Sequence, residues 1–204
     1  MDLNGVTIHP GALDHAAQEA LVMDLREVVS AAPLFHPETS RGRKMSVRMT
    51  SAGALGWVSD RRGYRYEPAH PSGVAWPPIP DRLLALWDRL ADCATPPDTC
   101  LINFYGEGAR MGLHQDRDEA SFDFPVLSLS LGDDALFRVG GTERGGRTKS
   151  VWLSSGDVAV IGGDARLAYH GIDRTRFGSS SLLPQGGRIN VTLRVAGVSA
   201  APPS

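Results

Sequence analysis

The chain of 204 residues has two cysteines, Cys93 and Cys100, and no C-x-x-C pair. That argues against a structural zinc site and fits reduced thiols in a cytoplasmic protein. It also lacks strong charge of either sign: the net charge is -2, so the molecule as a whole cannot attract nucleic acid electrostatically. Any such contact must come from a local patch. No apolar run approaches the roughly 20 residues that a membrane span requires. The opening stretch, M-D-L-N-G-V-T-I-H-P, has no basic segment followed by an apolar one, so no secretion signal is expected. Internal repeats and long low-complexity segments are missing as well.

What is there suits one soluble domain with its own core: 42% of the residues are hydrophobic. Residues 14 to 30 read as a helix, with Asp14 placed to cap it and Leu21, Val22, Leu25, Val28 and Val29 near helical spacing. Residues 81 to 92 read as a second, with Leu83, Leu84, Leu86, Trp87 and Leu90 on its apolar face. W-P-P-I-P at 76 to 80 precedes it and cannot be regular sheet. From about residue 99, short Val-, Ile- and Leu-rich segments alternate with Gly-rich turns. The segments 101 to 105, 126 to 131, 135 to 139, 150 to 153, 157 to 161 and 188 to 195 all predict strands. Helices first and many short strands later predict an α+β protein with an antiparallel sandwich or jelly roll. The tail after Gly197 is small and Pro-rich, which predicts disorder.

Polar residues recur two apart in three of these regions: Asn103 and Tyr105, His114 and Asp116, and Arg188, Asn190, Thr192 and Arg194. Side chains two apart on a strand share a face. In the last strand the other face is Ile189, Val191, Leu193 and Val195, which suits a core. An H-x-D pair is common by itself. Here a distant histidine, His170, could complete two imidazoles and one carboxylate, the facial triad of non-haem iron(II) oxygenases. Three coordination positions would stay open for a bidentate 2-oxo acid and O2. A dicarboxylate cosubstrate needs a cation, and two arginines on one strand face with no acid in that strand supply it. His9, His15, His36 and His70 lack such a context. G-E-G-A-R-M-G at 106 to 112 leads into H-Q-D instead of opening a helix, so it reads as a turn between strands and not a phosphate loop.

Residues 41 to 65 carry Arg41, Arg43, Lys44, Arg48, Arg61, Arg62 and Arg65 against one acid, Asp60. A solvated loop would explain the charge alone. Trp57, Tyr64 and Tyr66 in or beside the same stretch favour a surface for phosphates and an unstacked base, although Trp57 could instead be core. T-E-R-G-G-R-T-K at 142 to 149 reads as a basic hairpin tip from which Arg144 could reach the site.

M-S-V-R-M-T-S-A-G-A-L-G-W, R-R-G-Y-R-Y, C-L-I-N-F-Y, L-H-Q-D-R-D-E, V-L-S-L-S-L-G, G-G-D-A-R-L-A-Y-H-G and R-I-N-V-T-L-R follow in order from about residue 33 to 197. On these segments the chain resembles the AlkB-type nucleic-acid repair dioxygenases. The resemblance implies a double-stranded β-helix core at 99–197, preceded over 1–98 by N-terminal helices and a nucleotide-recognition lid, with 198–204 as tail. It implies His114, Asp116 and His170 as iron(II) ligands, and Asn103, Phe104, Tyr105, Arg188, Asn190 and Arg194 around 2-oxoglutarate. It implies Trp57, Tyr64, Arg65, Tyr66, Asp118 and Arg144 around a flipped nucleotide. One departure is Ile161, where close family members can carry tryptophan. The expected activity is oxidative removal of alkyl groups from 1-methyladenine or 3-methylcytosine in single- or double-stranded DNA, or in RNA. It would use O2, release an aldehyde and run in a cytoplasmic monomer with no membrane partner. Two other readings stay open on the residues: a 2-oxoglutarate oxygenase acting on a protein or small molecule, and a non-catalytic nucleic-acid-binding jelly roll.

Overall fold

A computed structural model of the protein describes residues 1–39 and 41–197. The expectation for the tail 198–204 therefore lies outside the described residues. Along the chain, β1 (Asp2–Leu3) and β2 (Val6–His9) lead into α1 (His15–Ala31). Next come β3 (Arg48–Gly53), β4 (Gly56–Asp60), β5 (Gly63–Glu67) and α2 (Asp81–Leu90). The remaining strands are β6 (Thr99–Tyr105), β7 (Met111–His114), β8 (Val126–Gly132), β9 (Ala135–Val139), β10 (Lys149–Leu153), β11 (Val158–Ile161), β12 (His170–Thr175) and β13 (Arg188–Arg194).

The strands form a large sheet in the order β1-β2-β11-β8-β13-β6-β3, a smaller one in the order β10-β9-β12-β7, and the separate hairpin β4-β5. Every pairing of named strands is antiparallel. The two helices pack on one face of the large sheet. Leu21 and Leu25 of α1 and Leu83 and Trp87 of α2 share a core with Leu127, Leu129, Val191 and Leu193. Its other face meets the small sheet, where Met49, Tyr105, Val126, Phe137, Val139, Ile161 and Ile172 form a second core. This is the jelly roll expected from the strand pattern.

Both helices form where the apolar spacing predicts them. Asp14 caps α1 by accepting from Ala17 N–H at 2.8 Å. The second helix stops at Leu90, two residues early, because Asp92 takes a left-handed backbone (φ 49°) that no α-helix can continue through. The simple order of helices before strands needs correction, since five strands precede α2. The first two are a hairpin on Asn4-Gly5, with φ of 53° and 83° and Leu3 paired to Val6. Asn-Gly is the dipeptide that such a two-residue turn favours, so this hairpin was readable. The other three are short and carry few β-branched residues, and their pairing partners lie far along the chain or across a tight turn.

The active architecture depends on one close approach. His170 of β12 pairs with His114 of β7, and the register then shifts before Ile172 meets Met111. At Gly171, between them, a β-carbon would lie 2.7 Å from the carbonyl oxygens of both Met111 and Gly112. Only glycine lets the two backbones come this near. Gly171→Ala is expected to push β7 from β12 and to cost about 1–3 kcal/mol of stability, as overpacking does. Urea unfolding checks this, and an unchanged midpoint would contradict it.

Candidate active site

The alternation in β13 places Arg188, Asn190, Thr192 and Arg194 on the side facing the small sheet, while Val191 and Leu193 join the helix-side core. With Tyr105 from β6 and His114 and His170 from the small sheet, Arg188, Asn190 and Thr192 line a small inner cavity of about 40 Å3. Above it opens a larger cleft, about 1810 Å3 including its mouth, whose walls include Arg43, Lys44, Trp57, Tyr64, Asp118 and Arg194. His114 and Asp116 line both spaces.

His114 Nε2 lies 3.6 Å from one oxygen of Asp116, and His170 Nε2 lies 3.6 Å from the other. The candidate ligand atoms all fall within 4.8 Å of one another. Each imidazole turns its Nδ1 to a backbone carbonyl, His114 to Gly112 at 3.0 Å and His170 to Ala168 at 2.9 Å. Those bonds make Nδ1 the protonated nitrogen and leave Nε2 as the lone-pair donor, the arrangement a metal-binding histidine uses. Burial and the neighbouring His170 hold the His114 imidazole below its ordinary range, despite Asp116. It is thus neutral at neutral pH, as ligation requires. For Asp116, burial favours the protonated acid, but Arg194, then His170 and His114, outweigh it and hold the carboxyl well below the usual carboxylate range.

The polar atoms left without partners mark what the cavity is built to take. Asp116 Oδ2, Asn103 Oδ1, two nitrogens of Arg188 and one of Arg194 are buried and form no hydrogen bond. Arg194 Nη2 approaches Asp116 Oδ2 at 3.0 Å without the alignment of a hydrogen bond, so that oxygen keeps a free lone pair. Arg188 donates to Ser130 Oγ at 3.0 Å and lies over the Tyr105 ring, and no carboxylate pairs with it among the described residues. Burial lowers its pKa for lack of a counter-ion. A buried guanidinium without an anion is costly unless a ligand brings one. The donor set (two imidazoles, one carboxylate, a lone buried cation) fits iron(II) with a carboxylate-bearing cosubstrate.

These are the groups of an iron oxygenase, and comparison with known proteins agrees. Residues 5–194 match the 2OG-Fe(II) oxygenase superfamily. The chain is 56% identical over 193 residues to the alpha-ketoglutarate-dependent dioxygenase AlkB homolog of Caulobacter vibrioides, covering 94% of this chain and 88% of that one. It is 42% identical over 186 residues to AlkB of Escherichia coli, covering 89% and 86%. The solved structure of OsALKBH1 superposes with a TM-score of 0.78 at 28% identity, covering 95% and 97%. The chain belongs to the AlkB group of the 2OG-Fe(II) oxygenases. Its cofactors are accordingly iron(II), 2-oxoglutarate and O2.

The remaining expected residues are placed unevenly. Trp57 and Tyr64, on paired strands β4 and β5, stack at 5.4 Å and 23° on the cleft wall. Trp57 Nε1 donates to Asp118 at 2.9 Å, so Asp118 stands on the cleft wall as a paired acid. One of its carboxylate oxygens is engaged by the indole. Tyr66 points elsewhere: its hydroxyl donates to Glu119 at 2.7 Å and accepts from Arg194 at 3.1 Å. Arg65 is held by Asp60 and Glu67 within the β4-β5 hairpin region. Phe104 is half-buried beneath Arg48 and outside the cavity wall. Arg144 is exposed on the connection between β9 and β10 and does not line the cleft.

Two buried groups were not singled out from the sequence. Glu119 accepts from Tyr66, Arg194 and Arg166, and Arg166 also donates to the backbone carbonyl of Asp116 at 2.7 Å. Glu119 lies three residues past Asp116 and beyond the strand, where alternation assigns no face. Arg166 lies in a turn without periodicity. Both fall in the family-like segments, which was the one signal available.

Replacing Asp116 by Ala is expected to abolish iron binding and turnover together. It also leaves Arg194 with one carboxylate instead of two, so a stability loss of about 3 kcal/mol should accompany it. Metal titration and thermal melting check both. A variant that still bound iron normally would remove Asp116 from the ligand set.

Proposed function

We propose that the protein demethylates N-alkylated bases in single- or double-stranded DNA, or in RNA, acting as a cytoplasmic monomer. The observation that carries this reading is the stacked Trp57–Tyr64 pair beside Asp118, on a cleft that opens onto His114 and Asp116. Flat aromatic walls suit an unstacked base, and Arg43 and Lys44 on the same cleft suit phosphate. One chain supplies every group, which supports a monomer, and the free thiols Cys93 and Cys100 support the compartment.

His114, Asp116 and His170 would hold iron(II), and Arg188 would take the distal carboxylate of 2-oxoglutarate. Bound iron, O2 and 2-oxoglutarate supply the oxidising power to hydroxylate the alkyl carbon, with succinate and CO2 as co-products. The hydroxylated group then leaves the base nitrogen as an aldehyde. The chain's own part is orientation. Asn103 and Asn190 offer amides beside the arginines, and Asn190 is itself fixed by donating to Ser128 at 2.8 Å and to the carbonyl of Leu129 at 3.0 Å. The cleft walls hold the base with its alkyl carbon toward the inner cavity and keep bulk water out.

Arg188→Met should raise the 2-oxoglutarate KM by the equivalent of about 2–5 kcal/mol, the cost of leaving a buried carboxylate unpaired. The same change removes an uncompensated buried charge, so the ligand-free chain should melt higher than wild type. An unchanged KM would contradict the assignment.

Methylation at N1 of adenine or N3 of cytosine makes the base cationic, and Asp118 still has an oxygen not bonded to Trp57. Turnover of 3-methylcytosine should therefore exceed that of 3-methylthymine in matched single strands. Asp118→Asn should narrow the ratio by about fivefold, or about 1 kcal/mol for a partly exposed pair. Formaldehyde release measures both rates. Succinate formation stimulated by peptides and not by methylated oligonucleotides would overturn the proposed substrate class.

A further inference from the structure

Gln115 stands between two of the candidate ligands, His114 and Asp116, and its side chain faces away from any metal. Its single amide nitrogen donates twice, to the carbonyl of Leu167 at 2.6 Å and to the carbonyl of Thr142 at 3.0 Å. Leu167 opens the segment that carries His170, through Ala168, whose carbonyl fixes the His170 ring. Thr142 lies at the foot of the basic connection between β9 and β10, which bears Arg144 and Arg147.

A second contact runs the opposite way. Arg166, next to Leu167, donates to the backbone carbonyl of Asp116 at 2.7 Å. The two ligand-bearing segments thus grip each other reciprocally: a side chain from 115 holds the backbone at 167, and a side chain from 166 holds the backbone at 116. The basic connection has its own footing in Gly140 and Gly141, which exchange backbone bonds with Tyr169 at 2.7 and 2.9 Å. Residues 143–148 above that footing are exposed, and the Gln115–Thr142 bond is the next link up from it.

We propose that Gln115, itself on the cleft wall, is a positioning residue that sets the basic connection 140–148 beside the substrate cleft and registers it against the ligand-bearing segments. It touches neither iron nor 2-oxoglutarate. Through Thr142 it holds the loop that carries Arg144 and Arg147 in place to meet a phosphate backbone. Through Leu167 it ties that loop's position to the segment ending in His170. The inference rests on the nucleic-acid reading for its kinetic consequence, but the loop's restraint can be read without any substrate.

Gln115→Glu keeps the shape and replaces the donor with an acceptor, setting a carboxylate against two carbonyls. Gln115→Met keeps the length and removes the donor without adding charge. Limited trypsin digestion of the intact chain reads cleavage after Arg144 and Arg147. Losing two hydrogen bonds should speed that cleavage about tenfold in either variant. With methylated oligonucleotide, KM should rise about fivefold to tenfold while kcat changes less than twofold. The 2-oxoglutarate KM should stay within twofold, because its pocket is built on the large sheet. A purely structural role would lower the melting temperature without this split. Unchanged trypsin cleavage in both variants would overturn the inference, and so would failure of both to fold, which would make Gln115 a stability element. If the loop opens but wild-type protein never turns over oligonucleotide, the restraint stands and the substrate reading falls.

Discussion

Arg194 is buried between Asp116 and Glu119, 3.0 Å from each, and the order of the whole site depends on that pairing. Withdrawing two carboxylates and a guanidinium from water costs several kcal/mol per ion, which only close and mutual contact offsets. The contact holds Asp116 ionised against its burial, so the carboxylate is ready for a cation at any pH near neutrality. Glu119 receives Arg166 and the Tyr66 hydroxyl as well, and burial drives the tyrosine's pKa upward so that it stays a hydrogen-bond donor. One ion network thereby joins β13, the ligand strand, the turn before β12 and the β4-β5 hairpin. The aromatic wall of the cleft is anchored to the same charges that prepare the metal site.

The large sheet makes this possible by keeping its two faces chemically apart. Leu127, Leu129 and Leu131 of β8 face the helices, while Ser128 and Ser130 face the cavity and hold Asn190 and Arg188. The helices contribute no group to the site. They cover the apolar face, and the resulting core carries the cost of burying cations on the other side. Arg188 is the extreme case: buried, bonded to Ser130 Oγ but with two nitrogens unpartnered until an anion arrives. Stability and ligand affinity are in opposition at that residue, as is common where a site is preorganised.

Much of this was readable along the chain. The capped helix after Asp14, the alternation of β13 and the pair His114/Asp116 are local patterns with period 3.6 or 2, and the tertiary fold respected them. Glu119, Arg166 and Gln115 were not readable. Their partners lie 47 to 75 residues away in the cases of Glu119 with Arg166 and Arg194. They sit outside the helices and strands, where no periodicity assigns a face. Tyr66 shows the converse limit. It shares a stretch with Trp57 and Tyr64 and pairs across the hairpin with Trp57, but its hydroxyl is taken by Glu119 and Arg194 in the ion network instead of the cleft.

By itself, then, the sequence determined the family, the jelly-roll class, the triad and the two arginines of the last strand, because each is written in short-range spacing and composition. Only the tertiary structure decided which cation pairs with which acid. It left Arg188 alone and gave Arg194 two partners, tied Asp118 to Trp57, and set Gln115 across two distant loops. The reason is physical: the energy of a buried charge or hydrogen bond is set by what lies within a few ångströms, and in a sandwich of antiparallel strands those neighbours come from remote parts of the chain.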